Sequence, residues 1–210
     1  MHNMGRSDYV TLNSSSAFSY YWMMPKLHAL RELHPEIDLR LQNSVLEPDL
    51  DIENISVAVR LGDGNWRGYH VAKLADEIIF PVASPRVLQT ARNLRSIPNL
   101  LHERLIHLEE PVRIRPTWKQ WFGHHGIHNV QISEGLRFND YALVLQAAQT
   151  GEGFAFGWEH IVRDLLEREL LAAREEWAWQ TGRGIYLVWS KSRPLSDNAE
   201  KVRDWILSYV

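Results

Sequence analysis

The chain reads as an α/β protein with mainly parallel pairing, and three observations predict this. A short apolar strand, Tyr9–Asn13, runs through Ser14, Ser15 and Ser16 into an amphipathic helix, about Ser16–Leu33. A second strand, Ile37–Leu41, alternates apolar and polar side chains directly after that helix. Strands and helices then keep alternating to the end, and the pattern starts afresh near residue 83. Two similar subdomains with a cleft between them are expected, lobe I from 9–82 plus 189–210 and lobe II from 83–188. Residues 1–8 read as a lead-in with no apolar core of a signal peptide.

Taken in order, Phe18, Trp22, Met23, Leu27 and Leu30 recur at helical spacing, and Pro25 within them removes a backbone donor and predicts a kink. His34-Pro35 ends this helix. Ile55–Leu61 is a third strand, followed by the loop Gly62-Asp63-Gly64-Asn65-Trp66. Ile78–Ser84 is a fourth, leading into a Ser-Pro helix start. Leu105–Leu108 reads as a strand, Thr117–Phe122 as a short helix, and Val130–Phe138 as extended. Asn139 or Asp140 caps a helix through Gln149, and Gly151-Glu152-Gly153 turns the chain into the buried strand Phe154–Phe156. Trp158–Leu166 is expected helical, Gly184–Ser190 a long apolar strand, and Ser196–Tyr209 the last helix, returning to the first lobe. The stretches 78–84 and 185–190 are the expected crossovers between lobes.

Bulk properties bound the function. The 210 residues carry a net charge of −3 and no cysteine, so disulfides and cysteine metal sites are excluded and no basic face for phosphate contacts is implied. No run of about 18 apolar residues exists to span a bilayer. His124, His125 and His128 do not make a metal site, because Gly126 interrupts their helix. Gly151, Gly153 and Gly157 follow a helix rather than a strand, unlike a dinucleotide fingerprint. Glu109 and Glu110 would point to opposite faces of a strand. No catalytic constellation emerges; the expectation is a binding protein, not an enzyme, without cofactor or metal.

The motifs Ser16-Ala17-Phe18, Trp22, Pro25-Lys26-Leu27, His34–Leu39, Val57–Gly64, Trp66-Arg67-Gly68, Pro81–Pro85, Arg137–Asp140 and Gly151–Ala155 stand in an order and spacing that resemble one family. It is the effector-binding domain of LysR-type transcriptional regulators, in the subgroup of the glycine-cleavage activator and the β-lactamase regulators. The local sequence also resembles regulators of choline sulfate use. The resemblance covers about residues 9–209. It implies two Rossmann-like lobes as in type 2 periplasmic binding proteins, a small-molecule effector in the cleft, and homodimers that become tetramers in a full-length cytoplasmic regulator. DNA would be bound by an N-terminal winged helix-turn-helix that this chain lacks.

Carried over by position, the effector contacts are Ser14, Ser15 and Ser16; Gly62, Asp63 and Trp66; Asn139 and Asp140; and Phe156, Gly157 and Trp158. Strand C-ends and helix N-ends are where ligands meet an open α/β sheet. Ser16 and Asp140 read equally well as helix caps, and Phe156 reads better as core. Asp63, Asp140 and Glu159 with Trp66, Trp158 and Tyr20 or Tyr21 suggest a zwitterionic or quaternary ammonium effector. Trp177, Trp179, Trp189 and Trp205 read as core or dimer surface. The dimer face is expected on the first helix, at Tyr20, Tyr21 and Met24. A solute-binding protein of transport shares the implied fold and is the alternative; a dehydratase on that fold finds no acid–base set here.

Overall fold

The computed structural model describes residues 9–91, 94–110, 113–132 and 134–210. The chain divides into two compact units. The first holds the described residues up to Ser19, Met23–Asp76 and Gly182–Val210; the second holds Tyr20–Trp22 and Glu77–Thr181.

In the first unit, strand β1 (Val10–Ser14) lies between β2 (Leu39–Asn43) and β3 (Val57–Gly62), parallel to both. Val10 faces Leu39 and Leu12 faces Val57 in register. The order continues through β9 (Trp179–Ser190) to β4 (Tyr69–Ala83), with β9 antiparallel to β3. The sheet is therefore mixed. Parallel pairing belongs to the βαβ start, where the chain must cross over to re-enter the sheet. One core cluster forms from Leu50, Ile55, Ala58 and Val188, with Trp66, Tyr69, Val71 and Tyr186 against it.

The expected single helix Ser16–Leu33 is broken into pieces. Phe18–Met23 is a π-helix, Met24–Lys26 a 3-10 turn, and only Leu27–Leu33 a regular α1. Pro25 has no N–H to give, so the regular ladder cannot run past it, and the backbone changes its winding on both sides. The winding also turns Tyr21 inward. Its hydroxyl donates to Ala142 O at 3.4 Å and accepts from Gln149 at 3.2 Å, so it is internal rather than part of an outer face. Tyr20 and Met24 are exposed.

In the second unit, β4 and β7 (Ala155–Trp158) pair antiparallel, Phe80 facing Gly157, and β8 (Ala172–Ala173) also pairs with β4. Helix α2 (Pro85–Thr90) starts as expected, with Ser84 accepting from Val87 N and Pro85 in the first turn. Thr117 and Gln120 form a capping box on α3 (Trp118–His124). Helix α4 (Tyr141–Thr150) ends on Gly151 at φ +91°, a left-handed stop that glycine takes without penalty. In the 130–138 stretch, expected to be extended, the described residues hold one strand, β6 (Arg137–Phe138), parallel to β5 (His107–Leu108), and residue 133 lies outside the described residues. Trp158 is both the last residue of β7 and the N-cap of α5, which runs Glu159–Glu167. Trp121, Phe80, Phe122 and Phe154 are the largest fully buried side chains. Helix α6 (Asp197–Leu207) belongs to the first unit, capped by Ser196. Among the described residues no helix is long and apolar enough to cross a membrane.

Candidate functional site

The end of β1 carries a chain of hydroxyls. Ser14 is buried; its hydroxyl reaches Ser15 O at 3.1 Å and meets the Ser19 hydroxyl at 2.9 Å, while Ser19 donates to Asn43 Oδ1 at 2.6 Å. Ser15, not Ser16, caps the first turn, for its Oγ accepts from Phe18 N at 3.2 Å and its carbonyl from Ser19 N at 3.1 Å. Ser15 and Ser16 remain half-buried, so hydroxyls at a helix start stay within reach of solvent. The N-terminal end of a helical turn favours a negatively charged ligand group.

At the end of β3, Gly62 carries the Trp66 ring on its backbone, and a Cβ there would stand 2.8 Å from that ring. Trp66 meets Tyr186 edge-on at 5.6 Å and donates from Nε1 to Glu47 at 3.3 Å. Asp63 is exposed and accepts from Asn65 N, closing a tight turn. The structure thus brings Gly62, Asp63 and Trp66 together.

In the second unit, Asp140 caps α4 by accepting from Ala142 N at 2.7 Å, and Asn139 beside it is exposed. Phe156, Gly157 and Trp158 are buried. Phe156 lies 3.9 Å from Trp118 between ring centres, a core contact. Gly157 has no room for a side chain, since a Cβ would meet Val82 at 2.6 Å. Trp158 is held from several directions. The Tyr141 hydroxyl accepts its N–H at 3.0 Å while donating to Phe156 O at 2.9 Å. Its indole N–H donates to Glu77 at 2.7 Å, and the Arg115 guanidinium lies 5.6 Å over its ring. Arg115 in turn pairs with Glu110 at 2.5 Å. A cation cage built on the Trp158 face therefore already has its cation. Glu159 pairs with Arg163.

Glu77, Tyr141, Arg115 and His160 are participants that the motif reading passed over. Tyr141 is held far above the usual phenol range by burial, so it stays a neutral donor. Tyr21 is also raised, by burial foremost. His160 sits in the first turn of α5 with its Nδ1 buried and without a hydrogen-bond partner among the described residues. Burial, and then the Arg115 charge, push it down to about 3. An unfolded histidine ionises near about 6.5, so the unfolded chain takes the proton first. The contribution of neutral His160 is complete above about pH 6.5 and is lost as pH falls toward 3. His160→Gln is expected to flatten the acid limb of the stability curve. Guanidinium midpoints at two pH values, one above and one below the free-histidine range, check this; equal slopes in variant and parent would refute it.

Comparison with known proteins identifies the family. The family model "LysR substrate binding domain" matches residues 4–210. The glycine cleavage system transcriptional activator of Escherichia coli K12 is 28% identical over 199 residues, covering 95% of this chain and 64% of the relative. The transcriptional activator AmpR of Citrobacter koseri is 26% identical over 200 residues, covering 94% and 66%. The chain thus spans about 64% of the length of the first of these curated relatives. The effector domain of AmpR from Pseudomonas aeruginosa superposes with a TM-score of 0.77 at 24% identity, over 96% of this chain and 94% of that one. CrgA of Neisseria meningitidis superposes at 0.78 with 17% identity, over 95% and 67%. These two likenesses establish the periplasmic-binding-protein-like α/β fold of LysR effector domains. With a family match across almost the whole described chain, this protein belongs to the LysR substrate-binding domain family.

Proposed function

We propose that this domain senses a small molecule for a longer, cytoplasmic LysR-type transcriptional regulator. The observation that carries the reading is the family match over residues 4–210, supported by relatives that are transcriptional activators. Those names favour regulation over solute transport or catalysis. The effector would be taken by Ser14, Ser15 and Ser16 with Gly62, Asp63 and Trp66 in the first unit, and by Asn139, Asp140, Phe156, Gly157 and Trp158 in the second. Of the second set, exposed Asn139 and half-buried Asp140 have polar atoms nearest solvent, and Phe156, Gly157 and Trp158 act as the wall behind them. A zwitterion fits these residues, its polar atoms within reach of the half-buried Ser15 and Ser16 hydroxyls. Binding would shift a homodimer, or a tetramer of the full-length protein, between arrangements of different effector affinity. A net charge of −3 leaves DNA contact to a separate winged helix-turn-helix.

A thermal unfolding scan against amino acids, dicarboxylates, aromatic acids, choline, betaine and choline sulfate tests the reading. A ligand at about 100 times its dissociation constant adds about 2.7 kcal/mol. For a domain of this size that raises Tm by roughly 5–10 °C. Ser15→Ala is expected to cost about 1 kcal/mol through the lost cap and to abolish the ligand shift. A panel without a single hit would turn the reading toward a domain that signals by protein contact.

A further inference from the structure

The first unit buries a guanidinium whose counter-ion fits badly. The Arg60 side chain is 6% exposed. Its Nη2 donates to Pro48 O at 2.6 Å, and its guanidinium stacks 4.9 Å over the Tyr69 ring. Its Nε has no hydrogen-bond partner among the described residues. The carboxylate nearest that Nε is Glu47, at 3.7 Å, too far to bond, and its side chain is 36% exposed. The same Oε2 takes the Trp66 indole N–H at a long 3.3 Å. So one partly solvated oxygen is shared by two donors and satisfies neither well. The Trp66 ring rests on Gly62, which fixes the direction of its N–H.

We infer that Arg60 Nε and Trp66 Nε1 form a carboxylate-binding subsite in which Glu47 is a resident, displaceable occupant. A buried charge with an unbonded donor costs free energy that a better-seated carboxylate recovers. The flat edge of a guanidinium selects planar carboxylates over point-like anions. The occupant is the carboxylate of a small acid, an amino acid or a betaine, and an amine lacking a carboxylate is excluded. Ligand entry then requires the segment around Glu47, with exposed Val45 and Leu46, to release its hold on Trp66. This deepens the effector-binding reading and rests on it.

The test uses the chain labelled with nitrogen-15, with the Trp66 indole signal assigned through Trp66→Phe. Acetate and glycine betaine are the probes; sodium chloride and choline chloride at equal ionic strength are the controls. In the parent chain the Trp66 indole signal is expected to move saturably with both carboxylates and with neither control. In Glu47→Ala, freed of the competitor, the acetate dissociation constant is expected to fall about tenfold, and acetate should raise Tm more than in the parent. A Trp66 signal that ignores acetate in both proteins, or equal affinity in both, overturns the subsite. Backbone amide signals of Ser15 and Ser16 separate the two readings. If betaine moves them and leaves Trp66 still, effector binding stands and the subsite falls; if it moves neither, the subsite falls and effector binding is decided by the thermal panel.

Discussion

Trp121→Ala is expected to destabilise the protein by about 3–5 kcal/mol, the range for removing a large aromatic from a close-packed core. Trp121 is fully buried on α3. Its ring meets Phe122 at 5.2 Å, His125 at 4.6 Å and Trp118 at 5.8 Å, so its neighbours are large, rigid rings that cannot collapse into the hole. The lost area and the residual cavity then add. A midpoint drop of roughly 6–20 °C follows for a domain of this size. Trp121→Phe is the informative control. The buried Trp121 Nε1 has no hydrogen-bond partner among the described residues, so phenylalanine removes an unsatisfied donor along with part of the ring. It should recover more than half of the loss. Urea unfolding followed by circular dichroism measures both, and an alanine variant within 1 kcal/mol of the parent would show that the cluster repacks.

Glu77→Ala is expected to cost about 2–5 kcal/mol, for a polar reason instead of a volume one. Glu77 is completely buried. Its two carboxylate oxygens accept from Trp158 Nε1 at 2.7 Å and from Thr181 Oγ1 at 2.5 Å. Alanine removes the acceptor of the buried Trp158 indole N–H, an orphan that costs about 1–3 kcal/mol, and breaks the half-buried Thr181 bond to a charged group, worth about 1.5–3 kcal/mol. Glu77→Gln keeps the shape and one acceptor oxygen, while its amide can donate to the threonine hydroxyl, so it should lose far less. Denaturant midpoints rank the three proteins, and the Trp158 indole signal should move in the alanine variant. Equal stability of alanine and glutamine variants would mean that the bonds contribute nothing.

Local chemistry was legible in the sequence wherever one short stretch decides the structure. The strand–serine–helix start, the Ser84-Pro85 and Ser196 helix starts, the Asp140 cap and the Gly151 stop all hold, because a cap or left-handed turn depends on a few neighbouring atoms. The long strands were only half legible. Gln180, Thr181, Gly182 and Arg183 of β9 carry no apolar alternation, and they are strand through their neighbours. The boundary at Trp158 was only half legible for the opposite reason. A continuous apolar run from Phe154 fits a buried strand or a helix equally, and periodicity cannot choose between them.

The same division governs the site. Ser14–Ser16 and the Gly62–Trp66 loop stand out as contiguous motifs. Glu77 does not, because its meaning lies in partners 81 and 104 residues away. Arg60 and Glu47 carry no motif of their own in the sequence, and it is burial that distinguishes one from the other. Ser15 displaced Ser16 as the cap by a shift of one residue, which is set by where the helical winding begins and not by residue type.

Strand β2 ends the sheet order, and among the described residues its pairing runs to β1 alone. Its outward backbone groups are a template on which another extended chain could grow. The strand answers this with composition: exposed Arg40 and Asn43 interrupt half-buried Leu39 and Leu41, and the strand is only 5 residues long. Arg40 also lies 5.5 Å over the Tyr9 ring, which fixes a positive charge at the rim. Charge on a short edge strand opposes indefinite stacking of copies. Solubility at high concentration therefore depends on a residue that belongs to neither candidate effector set, and a screen for ligand-binding variants would select it only by whether the protein stays in solution.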